Sequence, residues 1–217
     1  MKNLLNKEIR LAASPLSWIF LVFALMALIP GYPILVCAFF ICFGVFQSFQ
    51  SGRENNDILY TVLLPVRKTD TVKAKYAFTV LIQMLGFLIA AVTTLVRMFL
   101  LPDAVPYVNN PMMNANQAFL AYMLLVFAAF NLIFLGGFFK TAYKFGKPFV
   151  CFLIVSFVIV AIAETLHHIP GLTFLNASAP LSDPVMWGIL GAAAVIYALA
   201  TVLSCKVAMK RFERVDM

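Results

Sequence analysis

Apolar runs of close to 20 residues alternate with short polar or proline-marked breaks along the chain. A run of that length crosses about 30 Å of hydrocarbon as a helix. The pattern predicts an all-α integral membrane protein with six transmembrane helices, at about 16–29, 33–49, 76–101, 117–139, 148–166 and 184–205. Ahead of them, residues 1–14 form an amphipathic interfacial helix. Leu4, Leu5 and Ile9 share one side of it, while Lys2, Asn6, Lys7 and Arg10 lie largely elsewhere. No small-x-small cleavage site follows, so this segment does not read as a signal peptide. Ser14-Pro15 resets the direction, with serine as cap and proline at the first helical position. Pro30-Gly31-Tyr32-Pro33 makes a tight turn, and 102–116 is a loop with three prolines and several asparagines. The segment 167–183 carries Leu172, Phe174 and Leu175, too apolar for a simple solvated loop, and is expected to dip back toward the hydrocarbon.

The longest polar stretch is 50–76, read as a loop between the second and third spans. Ser51 and Glu54 have the spacing of a capping box, which predicts a helix start there. Asp57 adds negative charge near that end. Ile58 with Val62, and Leu59 with Leu63, recur at i, i+4 and predict one apolar face. Pro65 ends the helix by pushing Leu64 toward extended geometry. Thr69 or Asp70 is then placed to cap a second helix through Lys73 and Lys75. Such a short amphipathic helix either hugs a lipid surface or docks into a groove on a soluble partner.

Composition agrees with the pattern. The 217 residues are 63% hydrophobic and 12% charged, against about 25% charge in an ordinary soluble domain. The net charge of +7 might suggest a polynucleotide partner, but the charges are placed differently. Of the 16 lysines and arginines, all but Arg97 fall in the N-terminal segment, 50–76, 140–147 or the tail after 205. The positive-inside rule makes those four segments cytoplasmic and puts both termini on that side, and no basic soluble patch is left for nucleic acid. Cys37, Cys42, Cys151 and Cys205 lie in or at the ends of apolar runs and read as small hydrophobes, without a disulfide framework or metal site. No phosphate loop, H-E-x-x-H or G-x-S-x-G motif occurs, so catalysis by this chain has little support.

Four of the polar residues embedded in spans are candidates for a role. Arg97 and Glu164 both fall toward the outer ends of their helices, where they are placed to pair as a structural ion pair or to act as a gate. Gln83 and Asn131 either bond between helices or line a path. Glu164, His167 and His168 give half of a carboxylate-bridged metal motif, but a second such motif is missing and no metal is expected. The 22 phenylalanines are assigned to packing and lipid contact.

Leu63-Leu64-Pro65-Val66-Arg67-Lys68, followed by Val72-Lys73-Ala74-Lys75-Tyr76, resembles a stretch in the permease subunits of ABC-2-type transporters, the small six-span bacterial class. Leu4 to Arg10, with Leu4, Leu5, Lys7, Glu8, Ile9 and Arg10, is similar to their N-terminal pattern. The resemblance implies one transmembrane permease domain over 1–217, a coupling helix over Glu54 to Leu64, and an outer gate of short re-entrant helices over Pro170 to Asp183. It also implies partner contacts through Glu54, Asp57, Ile58, Leu59, Val62, Leu63, Pro65, Arg67 and Lys68. The implied partners are a separate ABC-type ATPase subunit, which would hold the ATP and magnesium, and a second permease protomer, in a bacterial cytoplasmic membrane. This chain itself would carry no cofactor. Export is the implied direction. The rival reading is a membrane scaffold or sensor whose 50–76 loop binds a regulator without ATP; a membrane enzyme built on Glu164 and the histidines is a third.

Overall fold

Why the chain folds as it does is clearest at its breaks. A computed structural model describes residues 2–101, 104–108, 110–141, 144–177 and 181–215. Pro102 and Pro180, expected as loop prolines, and the last two residues of the tail lie outside the described residues. The elements are helices α1 (Lys2–Ala12), α2 (Pro15–Leu28), α3 (Val36–Glu54), α4 (Asp57–Leu63), α5 (Lys68–Leu100), α6 (Gln117–Phe138), α7 (Gly146–Leu166) and α8 (Pro184–Glu213). No strand occurs among the described residues. Four of these, α5 to α8, are long and apolar enough to cross a membrane, and α1 with α2 makes a fifth when that bent pair is taken as one span. The 19-residue α3 is less apolar, because its C-terminal part from Gln47 onward carries Gln47, Ser48, Gln50, Ser51, Arg53 and Glu54.

The expected reset at Ser14-Pro15 is a bend of 95°. The Ser14 hydroxyl accepts from the Leu16 amide at 3.3 Å, and Pro15 occupies the first turn, where its missing N–H costs nothing. Beyond the bend, α2 and α3 cross closely. The Ser17 hydroxyl donates to the Gly44 carbonyl at 2.6 Å and lies 2.7 Å from the Ser48 hydroxyl. A Cβ on Gly44 would come within 2.9 Å of the Phe20 Cβ, so the crossing needs glycine there.

Two expected helix starts are not starts. Ser51 and Glu54 close α3 instead of capping a new helix, because Phe46 and Phe49 anchor that part of α3 against Phe134 and Phe138. The helix breaks at Asn56, in the left-handed region at φ 52° that asparagine tolerates. The helix expected over Glu54 to Leu64 therefore spans only Asp57–Leu63. Leu64 is extended before Pro65, as expected. Neither Thr69 nor Asp70 caps the next helix. It begins at Lys68 after an extended Arg67, and the Asp70 carboxylate accepts from Lys73 at 3.2 Å.

Helix α6 is the axis of the bundle: 78% of its apolar window is buried, against 22% in α7 and in α8. A helix apolar all round belongs at the centre. Around it the phenylalanines pack as expected, with Phe46 stacked on Phe149 at 3.9 Å and Phe130 on Phe134 at 4.8 Å between ring centres.

The basic segments gather at one end. Lys68 donates to the Val215 carbonyl at 2.7 Å, Arg211 to the Gly136 carbonyl at 2.7 Å, and Arg53 lies 5.0 Å over the Phe145 ring. At the opposite end the Tyr107 hydroxyl donates to the Leu28 carbonyl at 2.8 Å, and the Gly31 amide donates to Asn110 at 3.2 Å. There the described part of 167–183 carries one 3₁₀ turn, Thr173–Asn176, whose Leu175 is buried with Ala118 and Met186.

Candidate functional site

At the basic end, α4 lies across α1, α3 and the start of α5, and four charges fix it there. Lys7 bonds the Asp57 carboxylate and sits 3.1 Å from Glu8. Lys75 sits 2.9 Å from Glu8 and 2.9 Å from Asp57. The four alternate in sign around a closed ring and sum to zero. Lys7 also donates to the Thr61 hydroxyl at 2.8 Å, so it grips α4 twice. Glu8 and Lys75 are 3% and 4% exposed. Burial raises the Asp57 carboxyl, but the ammonium groups of Lys75 and Lys7 outweigh it and hold Asp57 below the ordinary carboxylate range. A buried ion pair adds little net stability over an apolar packing, yet removing one partner strands a charge at a cost of about 3–5 kcal/mol. The ring thus fixes geometry more than it adds stability.

The ring also divides the helix. Ile58 and Val62 are half-buried against the core. Leu59 and Leu63, expected on the same face, turn outward at 47% and 74% exposed, beside Tyr60 and Leu64. Pinning Asp57 and Thr61 inward sets that rotation. Pro65, Arg67 and Glu54 are exposed, and the Glu54 carboxylate accepts from Gln50 at 3.3 Å. Asp57 and Lys68, expected as partner contacts, spend their charge inside the chain, on the ring and on the Val215 carbonyl. A groove of about 670 Å³ runs between the α1–α2 elbow and α4, floored by Ser51, Gly52 and Thr61 and rimmed by Leu11, Leu63 and Leu64.

Mid-bundle, Gln83 and Asn131 are fully buried and bond each other in both directions at 3.1 Å. Asn131 also donates to Thr201 at 2.8 Å, and Tyr197 donates to Gln83 at 2.9 Å. The Asn131 carbonyl accepts from the Gly136 amide at the end of the π-helical stretch Phe130–Leu135 and also from Ser204 at 2.5 Å, and Tyr76 stands 2.7 Å from that same hydroxyl. The network ties α5, α6 and α8 together.

Arg97 and Glu164 take separate partners instead of each other. Arg97 donates to the Ala27 carbonyl at 3.1 Å and to Asn114 at 2.5 Å, with its guanidinium 4.1 Å over the Tyr107 ring. Glu164 accepts from the Met113 amide at 2.9 Å. They hold neighbouring residues of one loop, which Asn176 also bonds through the Asn114 amide at 2.6 Å. The His167 and His168 rings lie 4.1 Å apart, tilted by 41°, and His167 lies 3.4 Å from the Pro111 carbonyl.

Glu8 and Lys75 were missed as a pair, being 67 positions apart. One signal was present. Glu8 follows Leu4 by four and Leu5 by three, which puts a carboxylate on the apolar side of an amphipathic helix.

Neither the curated proteins nor the solved structures give a match to this chain. The family model described as ABC-2 family transporter protein matches residues 3–213, nearly the whole length, and the chain belongs to that family.

Proposed function

We propose that the chain is one permease protomer of an ATP-driven exporter, crossing the membrane six times with both termini in the cytoplasm. Family members sit in the membrane as transporter components and work with ABC ATPase subunits. In this reading α2 and α3 are spans one and two, with the polar end of α3 at the cytoplasmic surface, and 1–217 is a single permease domain. The gathering of the basic segments at one end supports that orientation. ATP and magnesium belong to the partner, and a second permease protomer completes the pathway.

The observation that carries the proposal is the rotation of α4. The ring holds Asp57 inward, and Leu59, Tyr60, Leu63 and Leu64 project as an apolar ridge beside Arg67. A partner that buries such leucines gains about 1.5–3 kcal/mol from each. Closing of the ATPase then moves α4, and rigid-body shifts of the spans change access to the path.

Replacing Leu59 and Leu63 together by aspartate tests this. Membrane insertion should be normal, while affinity for the ATPase falls at least about a hundredfold and co-purification is lost. Binding and transport retained by that variant would refute the docking role. A wild-type chain that captures no P-loop ATPase would favour the scaffold reading.

A further inference from the structure

We infer that the ring Lys7–Glu8–Lys75–Asp57 joins α1 and α4 into one moving body, with Glu8 and Lys75 as its positioning residues, so that a displacement of α4 reaches α2 and α5 together. The inference rests on α4 as the docking element and goes beyond it by assigning the path of the motion.

Each lysine contacts both carboxylates. Lys7 and Glu8 belong to α1, Asp57 to α4 and Lys75 to α5, so three elements meet in one neutral cluster. The burial of Glu8 and Lys75 keeps water from substituting for a lost partner. The ring therefore shifts intact or opens as a whole. Lys75 is seated further by the Phe49 ring, 5.5 Å away on α3. Downstream of Glu8, the Ala13 amide bonds the Glu8 carbonyl at 2.8 Å and the Ser14 amide donates to Ser48 at 2.8 Å. Those bonds carry α1 directly into the elbow and the first turn of α2. Without the ring's ion pairs, α4 would hang from α3 and α5 by its ends and by Ile58 and Val62, and from α1 by the Lys7–Thr61 hydrogen bond alone.

The test is hydrogen exchange of the full chain in lipid nanodiscs, read on each helix separately. If α1 and α4 open as one unit, Asp57→Asn speeds exchange in α1 as well as α4, and Glu8→Gln speeds it in α4 as well as α1, by about tenfold in each case. The pair Lys7→Gln with Asp57→Asn guards against misfolding. It removes one charge of each sign and leaves Glu8 on Lys75. In that variant α1 should return to within about twofold of wild type while α4 stays fast, a recovery that loss of shape alone does not produce. Exchange in α1 unmoved by Asp57→Asn, or not recovered in the balanced variant, overturns the inference. With a co-purified ATPase, adding ATP and magnesium should alter exchange at the elbow, Ala12 to Ser17, in wild type and not in the balanced variant; an equal change in both also overturns it. Failure of any ATPase to co-purify with wild type counts against the docking role alone, since the exchange of the isolated chain still decides whether the ring joins the two helices.

Discussion

Replacing Asn131 by leucine removes a side chain of nearly the same shape and leaves its bonding partners in place. Three hydrogen bonds go: two with Gln83 and one with Thr201. Between membrane helices such bonds average about 0.6 kcal/mol and reach about 1.7, so the three sum to roughly 2 kcal/mol. The Gln83 amide is then left with the Cys42 sulfur at 3.9 Å as its remaining acceptor, and a stranded buried donor adds about 1–3 kcal/mol. The expected loss is about 3 kcal/mol. Gln83→Leu should cost a similar amount, since it strands the Tyr197 hydroxyl and one face of Asn131. The double leucine variant removes both halves of the bonded pair at once. It should lose about 4 kcal/mol instead of about 6, a coupling of about 2 kcal/mol. Equilibrium unfolding of the three variants in bicelles, by steric trapping, measures this cycle. Additivity to within about 0.5 kcal/mol would show that the two amides do not act as a unit. Single losses near zero would mean that these residues serve passage, with no part in joining α5, α6 and α8.

Other perturbations have equally definite outcomes. Gly44→Ala should destabilise by about 1–3 kcal/mol, because the new methyl meets Phe20 at 2.9 Å. Gly191→Ala, with nothing within 4 Å, should be neutral or gain up to about 1 kcal/mol; the same unfolding assay compares them. Asp57 gives a pH dependence of fixed sign. Its carboxyl is held below the ordinary 3.8, so its contribution is whole above that value and is lost as the pH falls through the lowered one. Exchange in α4 should therefore quicken only below about pH 4, and Asp57→Asn should abolish the step. Arg97→Lys keeps the charge but loses the planar fork that reaches Ala27 and Asn114 together. A loss of about 2 kcal/mol, with faster proteolysis of the 110–116 loop, checks that assignment.

The long apolar helices α5 to α8 were legible because a run of that kind is written as contiguous composition, which neither tertiary context nor long-range pairing needs to complete. The Ser14-Pro15 bend and the Pro65 stop were legible for the same reason, since each is a two-residue steric rule. The start of α4 was not. Ser51 and Glu54 carry a sound local signal, but Phe46 and Phe49 pack one turn earlier and carry α3 past it. The face of α4 was also illegible in part, because Leu59 and Ile58 are equally apolar. What sorts them is Lys75, 18 positions from Asp57, together with Lys7 on a different helix. Arg97 and Glu164 drew attention as embedded charges, yet their partners are a carbonyl, an amide and an asparagine, groups that every loop offers. Such pairings depend on the tertiary path and leave no mark on residue type.

The odd turn at Phe130–Leu135 has a consequence for how this chain can drift. A π turn holds one residue more than an α-helix needs over the same span. Deleting that residue would swing everything below it by about 100°. Gly136, whose carbonyl receives Arg211, and Phe138, which meets Phe49 edge-on, would then both miss their neighbours. The surplus residue works as a ratchet tooth: simple to acquire by one insertion, and hard to shed unless the lower rod and its neighbours are recut in the same step.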